Sequence, residues 1–304
     1  MNEIYQVIII GGGPAGLTAG LYCSRSRLNT LLLEKEMAGG QMTMAELLEN
    51  YPGFPAGISG IELAQLMHQQ AVKYGLEIFP GEVIALETYP RRNVIRTTEG
   101  DFVTECVIIA SGSRFSKLGV SDEDKFVGRG VSYCATCDGP LFKGKEVVVV
   151  GGGDTALNEA LHLSKFASSV TVVHRRDQFR ASKILQERAL VEPRIKFIWN
   201  SRVCALGGDN LLEQISLKST KDATISLLPT AGLFVAVGAE PNTGFLQDVP
   251  ILDEQGYVIT NESMETQIPG ILAAGDVRHK SIGQVITAAG DGAVAAVTAE
   301  KFLG

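Results

Sequence analysis

The stretch Gly11-Gly12-Gly13-Pro14-Ala15-Gly16 decides how this chain folds. Ahead of it, Ile4 to Ile10 is a short apolar, β-branched run, which predicts a buried strand. Behind it, Leu17 to Ser26 predicts a helix, and Asn29 to Leu33 a second strand that ends at Glu34. Strand, G-x-G-x-x-G, helix, strand and acid together make the pattern of a dinucleotide-binding βαβ unit. Each part has a mechanical reason. Gly11 allows the tight turn, Gly13 lets the backbone approach a pyrophosphate, and Gly16 lets helix and strand pack closely. The start of the helix offers unpaired N–H groups and a positive dipole end to phosphates. Glu34 can accept hydrogen bonds from both hydroxyls of a ribose.

The pattern recurs. Val147 to Val150 predicts a strand, Gly151-Gly152-Gly153-Asp154-Thr155-Ala156 a second turn, Leu157 to Phe166 a helix and Ser169 to Val173 a strand. The two turns lie 140 residues apart, an internal duplication. Glu34 stands 21 positions after Gly13; at the same offset from Gly153 stands His174, followed by Arg175 and Arg176. A carboxylate there would repel a 2′-phosphate, whereas guanidinium groups pair with one bidentately. Arg180 could close the same pocket. The first site is therefore expected to take a dinucleotide with free ribose hydroxyls and the second NADP(H). A solvated basic face after a strand is the bland alternative, which the matched offset disfavours.

Ahead of the second turn lies Cys134-Ala135-Thr136-Cys137-Asp138, with two of the chain's five cysteines. Alone, a CxxC is half a zinc site, a redox disulfide or chance. A structural zinc site needs four ligands. The next cysteine is Cys204, and His162 and His174 stand isolated between, so no second ligand pair exists and zinc is disfavoured. Asp138 could serve the sulfurs as acid and base, or simply be a turn residue before Gly139-Pro140. Cys23, Cys106 and Cys204 read as small buried hydrophobes.

Composition narrows the setting. The net charge of −7 argues against a nucleic-acid-binding surface. No apolar run reaches the roughly 18 residues of a membrane span. The opening Met1 to Ile10 shows no basic leader, and a low, odd cysteine count suits a reducing compartment, so a cytoplasmic protein is expected.

The remaining chain predicts a helix over Ile61 to Tyr74 and a β-meander of Ile78 to Val83, Val94 to Thr98 and Asp101 to Thr104. Cys106 to Ala110 reads as a separate buried strand, Ser113 to Gly130 as linker, and Arg194 to Leu206 with Leu211 to Ser219 as a hairpin region. Gly232 to Val237 and Ile271 to Ala274 read as strands, and Gln284 to Phe302 as a helix rich in small residues. Asp276, at a strand's carboxyl end, could hydrogen-bond a ligand hydroxyl or act as an N-cap. The fold class expected is α/β, with two Rossmann-like dinucleotide-binding domains, the second inserted in the first. Residues 1–115 and 246–304 form the first domain and 116–245 the second, which carries the CxxC.

Taken together, GGGPAG at 11–16, GGQ at 39–41, CATCD at 134–138, GGGDTA at 151–156, HRRxxxR at 174–180 and AAGD at 273–276 resemble the low-molecular-weight thioredoxin reductases over essentially the whole chain. That resemblance implies a three-layer ββα version of each domain, FAD on the first, NADPH on the second, a homodimer, and a small disulfide protein such as thioredoxin as partner. It implies flavin contacts at Gly11, Gly13, Pro14, Ala15, Gly16, Glu34, Lys35, Gly40, Gln41, Asn50, Val83, Ala110, Gly112, Gly275, Asp276, Gln284 and Val285. For NADPH it implies Gly153, Asp154, Thr155, His174, Arg175, Arg176, Arg180 and Gly238. It further implies a disulfide between Cys134 and Cys137, with Cys137 facing the flavin, Cys134 attacking the partner, and the second domain rotating on its linkers near 114–118 and 243–247. A reductase for another small disulfide protein or with another electron donor, and a flavin redox sensor without turnover, are the competing readings. The chain departs from the family at Gly283, where Arg is frequent, and at Glu240, where the usual residue is uncharged.

Overall fold

The structure is a computed structural model that describes residues 4–304 apart from Glu46, Glu49 and Arg91; Met1 to Glu3, part of the N-terminal reading above, lie outside the described residues. The chain divides into two compact units, Met1–Arg114 with Glu240–Gly304, and Phe115–Ala239. The second is inserted in the first.

In the first unit, β1 (Ile4–Ile10) runs through the glycine turn into α1 (Pro14–Arg25), then β2 (Thr30–Glu34), α2 (Gly60–Lys73) and β3 (Glu77–Pro80). A meander follows: β4 (Val83–Tyr89), β5 (Arg92–Thr97) and β6 (Gly100–Ile109), which leads to β7 (Ser113–Phe115). The second unit holds a short helix α3 (Glu123–Phe126), β8 (Val131–Ser132), α4 (Ala135–Asp138), β9 (Glu146–Gly151), α5 (Asp154–Leu163), β10 (Ser169–Val173), α6 (Lys183–Val191) and β11 (Ile195–Ile198). It continues with β12 (Ser201–Gly207), β13 (Gln214–Ser219), β14 (Ile225–Pro229) and β15 (Gly232–Ala236). The chain returns through β16 (Ala239–Pro241) and finishes with β17 (Ile271–Ala273) and α7 (Val285–Leu303).

The first unit's sheet has the order β3-β2-β1-β6-β5-β4, with β17 also on β6. Strand β6 corrects the expectation of two strands at Asp101–Thr104 and Cys106–Ala110. It is one strand of ten residues whose first half pairs antiparallel with β5 and whose second half pairs parallel with β17. Its other edge runs parallel along β1 from Val103 to Ile109, across the point where the first edge changes partner, so the strand continues through Glu105. The expected strand Ile78–Val83 is likewise two elements. Residues 77–80 pair with β2, and the meander starts afresh at Val83. One face of the sheet packs against α1 and α7 through Val7, Ile9, Leu17, Ala19, Ala295 and Ala296. The small residues permit a close crossing: a Cβ at Gly292 would stand 3.1 Å from the nitrogen of Ala19. The other face buries Ile8, Ile10, Leu31 and Leu33 with Leu86, Ile95 and Leu246.

The second unit repeats the plan. Its parallel sheet has the order β11-β10-β9-β15-β8, and β12, β13 and β14 form a separate antiparallel sheet. Alternating valines of β9 explain why the run is apolar throughout: Val147 and Val149 face α5 and α6, whereas Val148 and Val150 face Val203, Ile215 and Leu217 of the antiparallel sheet. A strand covered on both sides carries no polar alternation. Helix α6, which the sequence did not reveal, lies between β10 and β11 and buries only Leu185 and Ala189 among its nine residues.

The return crossing comes earlier than the 245/246 boundary expected. Ala239–Pro241 pair with β7, Asn242 donates its backbone N–H to Gly112 O (3.0 Å), and Leu246 is buried beside Leu86 and Val249. Residues 240–245 thus belong to the first unit. Glu240, unusual in sequence, forms an exposed pair with Arg114 at 2.7 Å. Gly283, the second departure, adopts φ +73°, a backbone region that glycine enters without strain.

Candidate functional site

In the first unit the glycine turn is built by backbone collisions that only hydrogen avoids. Gly11 has φ +105°, and a Cβ there would stand 2.9 Å from Ser111 Cα; a Cβ at Gly16 would overlap the carbonyl oxygen of Gly11. At Gly13 a Cβ would meet nothing within 4 Å. Gly13 is the N-cap of α1, and no side chain caps it, so the first N–H groups of the helix face an open side. Glu34, at the end of β2, accepts from Gly12 N (2.6 Å) and Glu36 N (3.0 Å), which fixes its carboxylate over the turn. Pro14 and Ala15 open α1.

Around this turn the structure gathers most of the residues singled out in sequence. Gly40, at φ +58°, lies over Gly13, since a Cβ there would come within 3.1 Å of Gly13 Cα. Gln41 donates its side-chain amide to Ser113 O. Ala110 N donates to Ile10 O at 2.8 Å, and Gly112 follows at φ +66°. Asn50 Nδ2 donates to Gln284 Oε1 (3.0 Å), and Gln284 caps α7 with Thr287, one residue before Val285. Val83 is half-buried at the start of β4. Lys35 is exposed and stands 3.9 Å from Glu82.

Asp276 follows β17. Burial pushes its carboxyl above the ordinary value; the Ser281 hydroxyl, donating at 3.0 Å, opposes this and the charge of Asp291 adds to it. The preceding Gly275 has φ +78°, and a Cβ there would come within 3.0 Å of Ala15 Cβ. Its N–H donates to Asp291 Oδ2 (3.1 Å), and the same oxygen receives Arg278 Nη1 at 2.6 Å. This largely buried pair, which pattern reading missed, anchors the Gly275–Asp276 corner to α7 and was visible in sequence only as two ordinary charges.

The second unit repeats the turn with φ +158° at Gly151 and an open Gly153 as N-cap of α5. Asp154 Oδ1 accepts from Ser182 N (2.6 Å), and Thr155 is exposed in the first turn of α5. A cleft of about 630 Å³ opens beside Gly151 and Gly152. Arg175 and Arg180 line it, together with two cations the sequence did not point to, Lys117 and Arg202. Arg176 is exposed but does not line the cleft, and Gly238, at φ +136°, accepts from Ser116 N at 3.0 Å.

His174 parts company with the arginines. Its side chain is only 5% exposed, and its ring lies under Gly152 and beside Phe179 and Trp199. Burial lowers its pKa, with the Arg176 and Arg180 charges lowering it further against two backbone hydrogen bonds. A neutral, packed imidazole fills space under the turn, and the positive charge at the cleft comes from Arg175 and Arg180 rather than from His174.

Cys134 and Cys137 form a disulfide, with Cα atoms 5.3 Å apart. Strand β8 pairs with β15 at Val131 and Ser132 and delivers Cys134 as the N-cap of α4. Ser132, not anticipated, ties the motif together: its hydroxyl donates to Asp138 Oδ2 at 2.6 Å and accepts from Cys134 N at 3.1 Å. Asp138 is therefore held against the cysteine backbone. Under α4 lies Glu159 of α5, whose Oε1 is 3.5 Å from Ala135 N. Cys23 and Cys106 are buried, burial pushing Cys23 up to about 12 and Cys106 higher still. Cys204 is half-buried at the cleft and donates to Ser216 O. Among the described residues no helix is long and apolar enough to cross a membrane.

Two glycine turns of the dinucleotide-binding pattern on separate units, one of them joined to a disulfide in a CxxC, are the arrangement of a disulfide oxidoreductase. The comparisons agree. A family model described as pyridine nucleotide-disulphide oxidoreductase matches residues 5–292. The thioredoxin reductase of Bacillus subtilis is 44% identical, covering 99% of this chain and 96% of that protein, and that of Streptomyces coelicolor is 45% identical, covering 100% and 95%. The crystal structure of thioredoxin reductase from Streptococcus pyogenes superimposes with a TM-score of 0.93 at 42% identity, covering 100% of this chain and 99% of that one. The chain belongs to the pyridine nucleotide-disulphide oxidoreductase family, within its thioredoxin reductase branch.

Proposed function

We propose that this chain is an NADPH-dependent reductase of thioredoxin or a similar small disulfide protein, with FAD on the first unit and NADPH on the second. The observation that carries this reading is the Cys134–Cys137 disulfide directly ahead of the second dinucleotide turn. Identity of 44% along 99% of the chain to a thioredoxin reductase supports it.

The seats suit the two groups. In the first unit, the open face at Gly13 and the uncapped start of α1 suit a pyrophosphate, and Glu34 suits a ribose diol. Asp276, a largely buried carboxyl beside Ser281, suits a polyol chain better than empty space, because a buried carboxyl needs partners. In the second unit, Arg175 and Arg180 at the cleft suit a 2′-phosphate, where the first unit has Glu34. When bound, the flavin supplies two-electron chemistry between a nicotinamide and a disulfide.

The chain's own residues then do the following. Cys134 and Cys137 accept the electron pair as their S–S bond breaks. Cys134, as thiolate, forms a bond to one sulfur of the partner disulfide and expels the other. Cys137 attacks Cys134 Sγ and frees the partner as a dithiol. Asp138, steadied by Ser132, exchanges protons with the sulfurs. A homodimer in the cytoplasm completes the reading. The test is NADPH-driven reduction of a panel of small disulfide proteins with the FAD-loaded protein, run beside NADH. Turnover with thioredoxin and NADPH is expected; flavin reduction without transfer to any disulfide would overturn it.

A further inference from the structure

Helix α5 carries two titratable groups under the redox motif that the mechanism above does not use. Glu159 reaches Ala135 N, the amide next to Cys134, with Oε1, while its Oε2 is sealed from solvent with no hydrogen-bond partner among the described residues. Three residues on, on the same face, His162 lies under the turn that follows Cys137: a Cβ on Gly139 would stand 3.6 Å from its ring, and its Nε2 is also buried without a partner. A buried, half-satisfied carboxyl is costly in a protein and is best explained by a state in which it serves.

We propose that Glu159 is a second carboxyl of the redox centre, a positioning residue whose protonation state sets the acidity of the Cys134 and Cys137 thiols. This rests on the reductase reading above and deepens it. Reduction breaks one S–S bond with two electrons and leaves sulfur that holds either a proton or negative charge. A carboxylate beside Cys134 raises the cost of that charge, and a protonated Glu159 lowers it. Oxidation by a partner disulfide returns the electron pair to the partner sulfurs, and the protons follow to the partner thiols. Asp138 thus handles protons at the sulfurs, and Glu159 acts on them through the Cys134–Ala135 peptide without touching either.

The electrostatic surroundings favour this part. Burial alone pushes Glu159 up to about 7, opposed only by the Ala135 amide. The charged groups on elements packed against α5 are Asp138 after the cysteines, Glu146 of β9, and the exposed Lys183, Glu187 and Arg188 of α6; Asp154 and His162 are on α5 itself. His162 is held below its ordinary value by burial and by Lys165, so it brings no positive charge to the carboxyl at neutral pH.

The experiment reduces the wild-type protein and Glu159→Gln with a phosphine, then follows alkylation of Cys134 and Cys137 by iodoacetamide, site by site, from about pH 6 to about pH 9. Glutamine keeps an acceptor for Ala135 N and removes the charge. The wild-type profile is expected to spread over two steps, meeting that of the Gln variant near pH 6, where Glu159 is protonated, and the Gln variant to show one step that ends about one pH unit lower, with a rate about tenfold higher above about pH 7 until its thiols are fully ionised. Superimposed profiles, or a shift to higher pH, would overturn it. Should the variant not fold, the wild-type profile alone decides, and a single simple titration there overturns the proposal. The assay uses neither NADPH nor thioredoxin. Failure of NADPH to reduce the loaded wild-type protein would instead count against the functional reading.

Discussion

Removing Asp291 is the sharpest test of how the first unit holds its ligand corner. Its Oδ2 accepts from Arg278 Nη1 at 2.6 Å and from Gly275 N at 3.1 Å, and the two side chains of the pair are only 15% and 18% exposed. Asp291→Ala leaves a guanidinium buried without its counter-charge, and Arg278 Nε keeps only Thr260, at 2.7 Å. Breaking a buried pair from one side costs about 3–5 kcal/mol. Residual exposure places this one near the lower figure, about 3 kcal/mol. For a unit of this size that lowers the melting temperature by roughly 6–12 °C. Asp291→Asn retains an acceptor for Gly275 N but still strands Arg278, so it should fall between wild type and Ala. The assay is thermal unfolding of the apoprotein, followed by flavin content after reconstitution. The Gly275–Asp276 corner loses its tether in the Ala variant and keeps only a weaker one in the Asn variant, so flavin retention should drop in the same order. Melting within about 0.5 kcal/mol of wild type for both, the range of an ordinary surface change, would mean that the Arg278–Asp291 pair does not hold this corner.

Three further outcomes are expected. Changing Arg175 and Arg180 to Gln together removes two charge-assisted contacts of about 1.5 kcal/mol each, so the KM for NADPH should rise roughly 150-fold while that for NADH stays within a few-fold; equal changes would mean that these arginines do not read a 2′-phosphate. Glu159 gives a pH signature in stability: its folded value is about 7 against an ordinary 4.5, so the unfolded chain ionises first. Its contribution is fully present below about pH 4.5 and is lost as pH rises through about 7, a fall of about 3 kcal/mol that Glu159→Gln should abolish in unfolding curves taken across that range. Gly16→Ala should prevent folding of the first unit, because the new Cβ meets the backbone oxygen of Gly11, which no rotamer can move aside; soluble, flavin-loaded protein would contradict this.

What could be read in advance follows the range of the physics. The two turns were legible because their constraint is local: positive φ at Gly11 and Gly151 and close backbone approach at Gly16 leave a pattern within a few residues. The small-residue helix α7 was legible for the same reason. Strand β6 was misread because its neighbours change midway, which a one-dimensional pattern shows as two strands. The return crossing was misplaced because residues 240–245 carry no periodic pattern, and only pairing with β7, Ser111, Gly112 and Gly256 assigns them. His174 sat at the expected offset, yet the offset says nothing of which way a ring points. Lys117 and Arg202 reach the cleft from segments far from the turn, and Ser132 and Glu159 come to the cysteines through β8 and α5. Such neighbours are long-range facts, for which one sequence carries no periodicity.

Electrons are expected to leave the protein through Cys134 and Cys137. Mass spectrometry of the FAD-loaded protein, alkylated under anaerobic conditions before and after NADPH, measures this most directly. New label is expected on those two cysteines alone, with Cys23 and Cys106 silent in their burial, and none on Cys134 or Cys137 where excess oxidised thioredoxin is added before the alkylating agent. Flavin bleached by NADPH with Cys134 and Cys137 still joined, and thioredoxin nonetheless reduced, would contradict it.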